Sequence, residues 1–215
     1  GFEMDLAADG SITGWTMDPK TEGTIELSST IVKSGTRSLY FQDTVSANNK
    51  IDGLARVLSD KIAVVPGNTY TVSAAVYAVK QTASLVHEVQ YFDVNNIEIA
   101  DRQQVLNLKA NAKIGQWNEI KIVSTAPANA VYARIGFYSG DVSLTEVYID
   151  DVSMVVTPAP VQNLDFEMDK LDGNIQGWSI VDKTYGTIEL SPEKYYSGTK
   201  SLYFNDYSGG TKLQV

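Results

Sequence analysis

The chain of 215 residues has no cysteine. That excludes a disulfide framework, a thiolate metal cluster and a cysteine nucleophile, and leaves the redox compartment open. Its one histidine, His87, lies in a strand-like run with no serine or cysteine motif beside it. A Ser-His-Asp arrangement has nothing to be built from, and His87 reads as a structural residue. No apolar run approaches the ~20 residues a membrane-spanning helix needs. No basic and apolar leader precedes the opening "GFEMD", so a signal peptide is expected to have been removed or to lie outside this sequence. Positive charge is scarce, 17 Lys and Arg against 26 Asp and Glu for a net charge of -9. Such a chain repels phosphate backbones and anionic headgroups, so neither nucleic acid nor membrane is an expected partner. A Gly-rich phosphate cradle, an HExxH motif and a helical period longer than about one turn are missing as well.

What the chain does have is a sentence said twice. "GTIELSSTIVKSGTRSLYF" at 23–41 returns as "GTIELSPEKYYSGTKSLYF" at 186–204. Phe2-Glu3-Met4-Asp5 recurs as Phe166-Glu167-Met168-Asp169, and Gly14-Trp15 as Gly177-Trp178. Solenoid repeats run only about 20–50 residues, so a spacing this long implies tandem whole domains. The expected organisation is a first domain at 1–156, a linker at 157–163 inside the proline-bearing "VVTPAPVQN", and the N-terminal part of a second domain at 164–215. The second stretch matches roughly the first third of the first domain. Half a sandwich leaves strand edges uncovered, so it is expected to be a fragment, completed by a partner chain, packed on domain one, or ragged.

Alternation dominates the rest. In "TYTVSAAVYAV", Tyr70, Val72, Ala74 and Val76 face one way and Thr71, Ser73, Ala75 and Tyr77 the other. "VYARIGFYSG" places Ala133, Ile135 and Phe137 inward, with Arg134, Gly136 and Tyr138 outward. "EVYIDDVSMVV" closes the domain with Tyr148 and Val152 as expected core anchors. Turn residues separate these runs at Pro66-Gly67-Asn68, Asp93 to Asn96 and Ser139-Gly140-Asp141. Many short strands at such spacing define an all-β fold, a β-sandwich.

The ordered set "GFE", "GW", "SGTRSLYF", "PGNTYTVSAAVYA", "QYFDVNN", "GQWNEIKI" and "VYIDDVSMVV" resembles the galactose-binding-like jelly rolls of carbohydrate-binding modules, families 4, 9, 16 and 22. The resemblance spans the first domain and the second as far as it goes. It implies a non-catalytic module of a secreted polysaccharide-degrading enzyme, with a catalytic domain in the same parent polypeptide and a polysaccharide partner. Neutral glucan, mannan or xylan is expected, since an acidic polymer would need more cationic help than Arg134. Two linked weak sites would raise avidity on one polymer. The alternative is a structural spacer or adhesion sandwich with no glycan affinity.

The resemblance also implies a structural calcium (Ca2+) tying the first strand to the last. It would take carboxylates from Glu3 and from Asp150, or Asp151 in its place, and carbonyls from Gly1 and the Lys33 to Gly35 turn. Glu167 and Gly198 repeat part of this set. Glycan recognition needs rings against sugar faces and amides or charges toward hydroxyls. Tyr77, Arg134 and Tyr138, with Glu88 and Gln90 from "VHEVQYF", would form one floor if their strands are neighbours. Tyr138 before its "GD" turn and Gln90 on its "QY" strand look similar to family 16 binding residues; Asp18 stands where that family has a further tryptophan. Trp15 is a weaker candidate, and Trp117 reads as packing. Asp150-Asp151 cannot flank one bond, because adjacent strand residues face opposite ways.

Overall fold

The computed structural model describes residues 2–43, 55–80, 84–140, 144–159, 165–171, 174–178 and 186–206. The chain divides into two compact units, 1–159 and 160–215. In unit one the strands are β1 (Trp15–Met17), β2 (Thr24–Ser28), β3 (Ser38–Gln42), β4 (Ala55–Ser59), β5 (Ile62–Ala63), β6 (Thr69–Ala78), β7 (Ser84–Phe92), β8 (Glu98–Asn107), β9 (Trp117–Thr125), β10 (Tyr132–Ser139) and β11 (Glu146–Thr157). They form two antiparallel sheets. One runs β1-β4-β10-β7-β8, with β5 also paired to β10; the other runs β2-β3-β11-β6-β9. The all-β sandwich read from the alternation is the fold observed.

Each sheet buries one side of its alternation against the other. Val57, Leu85, Val89, Tyr91, Ile135 and Phe137 come from the first sheet; Leu39, Phe41, Val72, Val76, Ile120 and Ile149 come from the second. Each fully buried side chain of this size contributes ~1.5–3 kcal/mol. Two buried clusters result, and Trp15 and Val152 pack against both. The sheets are also joined at one edge, where the Lys121 amide of β9 donates to Gln104 Oε1 of β8 at 2.9 Å. The β7–β8 turn is set by its own side chain. Asp93 Oδ1 accepts from the amides of Asn95 and Ile97, both at 2.8 Å, while Asn96 sits at φ 63°.

Three expectations are corrected. Tyr148 is not a core anchor: it lies half-exposed on the outer face of the second sheet, because its inward neighbours Val147 and Ile149 fill the core. Residues 157–159, expected in the linker, belong to unit one. Thr157 ends β11, and the Ala159 amide donates to Asn68 Oδ1 at 2.9 Å. Asp150 and Asp151 do not face opposite ways, because the register of β11 against β6 slips between Asp150 and Ser153 and Asp151 adopts φ 49°.

Unit two contains β12 (Lys170–Leu171), β13 (Asn174–Ile175), β14 (Gly186–Ser191) and β15 (Ser201–Asp206). β14 pairs with β15 as β2 pairs with β3. The Phe166 and Trp178 rings lie 5.1 Å apart, as Phe2 and Trp15 lie 5.2 Å apart in unit one.

Candidate functional site

On the outer face of the first sheet, register builds rows across the strands. Arg56, Tyr138, Val86 and Val105 form one; Leu58, Gly136, Glu88 and Gln103 the next; Arg134, Gln90 and Asp101 a third; Tyr132 and Phe92 a fourth. Tyr138, Arg134, Gln90 and Glu88 therefore share one face, as their alternation implied. From Tyr132 to Tyr138 the floor is ~20 Å long at the usual rise per residue.

Glycine makes the middle of this floor possible. A Cβ at Gly136 would come within 2.6–2.7 Å of the Glu88 side chain and of Leu58 Cδ2. With only hydrogen there, Glu88 reaches across β10 to Arg56 on β4, its Oε1 accepting from Nε at 3.0 Å and Nη2 at 2.7 Å. Glu88 is only 3 % exposed although it faces outward. Burial raises its pKa, and the Arg56 charge partly offsets the rise. Gln90, also buried, donates from Nε2 to Glu98 Oε2 at 3.4 Å. Arg134 is anchored through Nε to the Ser59 carbonyl at 2.7 Å, which fixes its guanidinium over the floor. The Tyr138 ring lies against Gly140, where a Cβ would collide with it.

The far end is aromatic and was missed in the sequence. Tyr132 and Phe92 stack at 4.9 Å with an 11° interplanar angle. Lys61 Nζ sits 4.5 Å over the Tyr132 ring and donates to Asn96 Oδ1 at 2.6 Å; the Tyr132 hydroxyl donates to the same oxygen at 3.1 Å. Carrying the β10 alternation two residues back from Arg134 finds Tyr132. Arg56 was legible in the same way, between the inward Ala55 and Val57 of "LARVLSD".

Two candidates lie elsewhere. Tyr77 is on β6 of the other sheet, so the expected common floor with Tyr138 does not exist; alternation fixes a strand's faces but not its neighbours. Trp15 points inward, its ring 5.2 Å from Phe2 and 6.0 Å from Phe137, and serves as packing.

The candidate metal residues converge on the 33–37 turn. Asp150 is fully buried, and its Oδ2 accepts from the amides of Lys33 at 3.0 Å and Ser34 at 3.2 Å; Asp151 Oδ1 takes the Ser34 hydroxyl. Glu3 accepts from the Thr36 amide and hydroxyl and the Arg37 amide, and hydrogen bonds from Thr36 above all lower its pKa. Gly35, at φ 71°, leaves room for that carboxylate. In unit two Glu167 makes the same contacts with Thr199 and Lys200, beside Gly198 at φ 74°. Gly1 lies outside the described residues. Among the described residues no three His, Cys, Asp or Glu side chains cluster to hold a metal. The donors suit a hard cation only if main-chain carbonyls complete two acidic ligands.

Among the described residues of the first face, no titratable side chains are arranged for bond breaking. Glu88 is committed to Arg56, and His87 is buried beneath the floor. The first sheet's outer face thus carries rings at both ends, with anchored amide, guanidinium and carboxylate groups between them. Residues 1–144 match the Carbohydrate binding domain family, and the chain belongs to it. It is a non-catalytic binding domain rather than an enzyme. No curated protein matches the chain.

Solved structures agree in fold. The enzymatically active domain of tailspike protein 4 of bacteriophage CBA120 is similar at TM-score 0.52 and 16% identity, over 67% of this chain and 20% of that one. A carbohydrate-binding module of the β-sandwich superfamily, studied for promiscuous specificity, is similar at TM-score 0.51 and 18% identity, over 69% and 59%. The Clostridium thermocellum endo-1,4-beta-D-xylanase 10B, its CBM22-1 and GH10 modules complexed with xylohexaose, gives TM-score 0.50 and 17% identity, over 72% and 28%. The chain thus spans only about a fifth of the phage protein's length.

Proposed function

We propose that unit one holds a secreted polysaccharide-degrading enzyme on a neutral polysaccharide, which lies along the outer face of the first sheet. The observation that carries this reading is the face itself, with Tyr138 at one end, the stacked Tyr132 and Phe92 at the other, and Arg134 and Gln90 between. Rings cover the apolar faces of sugars, while the anchored polar groups meet hydroxyls without losing much side-chain entropy on binding. The acidic chain disfavours anionic polymers. Residues 160–215 read as the start of a second domain of the same kind, supported by the repeated Glu167 contacts and ring pair.

Affinity electrophoresis of the full chain against soluble xylan, β-glucan and mannan tests the reading. One polymer should retard the protein, and Tyr138→Ala should weaken that retardation at least tenfold, about 1.4 kcal/mol. A folded protein that no polymer retards would instead be a spacer.

The same reading includes a calcium ion at the 33–37 turn, held by Asp150 and Glu3 with main-chain carbonyls. A bound ion at about a hundredfold over its dissociation constant adds ~2.7 kcal/mol, or about 5–10 °C in melting temperature for a chain of this size. Differential scanning fluorimetry with calcium and with chelator should show that gap in the parent and not in Asp150→Asn. Equal melting of the parent in both buffers would leave the turn held by its amide hydrogen bonds alone.

A further inference from the structure

Tyr77 has company on the second sheet. Register sets Tyr40 on β3, Tyr148 on β11, Tyr77 on β6 and Trp117 on β9 in one row, each opposite the next. Successive centroids lie 5.1, 6.4 and 5.6 Å apart, and all four side chains are half-exposed. Cross-strand ring pairs stabilise a sheet, which accounts for their packing. It does not account for what lies beside them.

One row along β6, small Ala75 separates Asp150 from Glu119; in the row after, Ser73 separates Ser153 from Lys121. The short side chains leave a depression of about 320 Å3, lined by Thr71, Ser73, Ala75, Glu119, Lys121 and Asp151. The β-bulge that displaces Asp151 brings its carboxylate to the rim. Ser73 and Ser153 share a hydroxyl hydrogen bond of 2.9 Å. A row step of ~7 Å therefore separates a wall of rings from hydroxyls, an ammonium and two carboxylates.

We propose that this outer face of the second sheet is a second sugar site, which takes a neutral, hydroxyl-rich glycan end against Tyr77 and Trp117, with Ser73, Lys121 and Asp151 meeting its hydroxyls. The inference rests on the reading of the chain as a glycan binder. Mixed donors and acceptors of both signs suit a ligand that donates and accepts, and the net charge of -9 disfavours an anion. The rings stand 47°, 78° and 67° apart in plane, so they give a chain end a corner to enter and no flat platform for a sheet of polymer. Because the two faces lie on opposite sides of the sandwich, one module would join two glycan chains.

Calorimetric titration of the full chain with xylohexaose, cellohexaose and mannohexaose tests this. The parent should take two ligands of one of these sugars. Tyr138→Ala should take one, and Lys121→Ala, a substitution at an exposed position expected to leave stability almost unchanged, should weaken that remaining site about tenfold in the double variant. One ligand, lost in Tyr138→Ala and unaffected by Lys121→Ala, overturns the second site and leaves the first. One ligand retained in Tyr138→Ala and weakened in Lys121→Ala overturns the first and keeps the second. No heat with any of the three sugars overturns both.

Discussion

Between pH 7.5 and pH 5 the protein is expected to lose about 2 kcal/mol of unfolding free energy through His87 alone. The imidazole has no solvent exposure and stacks on Phe137 at 4.9 Å and 17°. Neither ring nitrogen makes a hydrogen bond of good geometry, although backbone groups of Gly136 and Val72 lie close. Burial pulls its pKa from the usual 6.5 to about 4, a fall only partly offset by the nearby backbone of Gly136 and Val72. The unfolded chain therefore binds the proton more readily than the folded one. Stability is full above about pH 6.5 and falls as the pH drops toward 4, by ~1.4 kcal/mol per unit in the middle of the window. His87→Leu removes the titrating group and two buried polar atoms that lack well-formed partners. Urea unfolding should find the variant about 1–2 kcal/mol more stable than the parent at pH 7.5, with the gap widening by about 2 kcal/mol at pH 5. A parent whose stability is level from pH 7.5 to 5 would contradict this account.

Removing Arg56 should cost about 3 kcal/mol at pH 7.5, since truncating one partner of a buried ion pair strands the other. Glu88 is the stranded group, with 5 % of its side chain exposed against 25 % for Arg56. Its pKa, already raised by burial, should rise further in Arg56→Ala. A carboxyl with a raised pKa penalises the folded state above that pKa and ceases to do so as it protonates. The deficit of Arg56→Ala relative to the parent should therefore shrink as the pH falls toward 4.5, where the loss through His87 is common to both and cancels. The double variant Arg56→Met with Glu88→Met should recover stability to within about 1 kcal/mol of the parent and still bind glycan poorly, separating the pair's part in the floor from its part in folding. A deficit that does not change with pH would mean that Arg56 acts through packing alone.

Much of this was legible in local pattern. Alternation in "VYARIGFYSG" and "VHEVQYF" put Arg134, Tyr138, Glu88 and Gln90 on outward faces, and these strands proved to be neighbours. Tyr77 shows the limit. Its strand alternates just as cleanly, but partner choice between sheets depends on packing across 70 residues of chain and leaves no mark in a ten-residue window. The bulge at Asp151 was hidden for a related reason: period two fixes facing only while the ladder is regular. The bond from Thr36 to Glu3 spans 33 residues and was not legible in advance: the sequence marked Glu3 and the 33–35 turn only as the ligands that the resemblance implied, repeated at Glu167 and Gly198.

The last strands of unit one occupy central positions. β10 lies between β4 and β7, and β11 between β3 and β6, so both sheets stay divided until residues 132–157 have been made. At a synthesis rate of ~5–20 residues per second, β3 waits on the order of ten seconds for the strand that covers its open edge. The contacts that close the sandwich, such as Lys33 with Asp150 across 117 residues, are also among the most remote in sequence. Topology of this kind folds on a scale of milliseconds to seconds. The growing chain thus passes through a stage in which half-built sheets display paired but unfinished edges, and the acidic surface that keeps anionic ligands away also keeps such intermediates from one another.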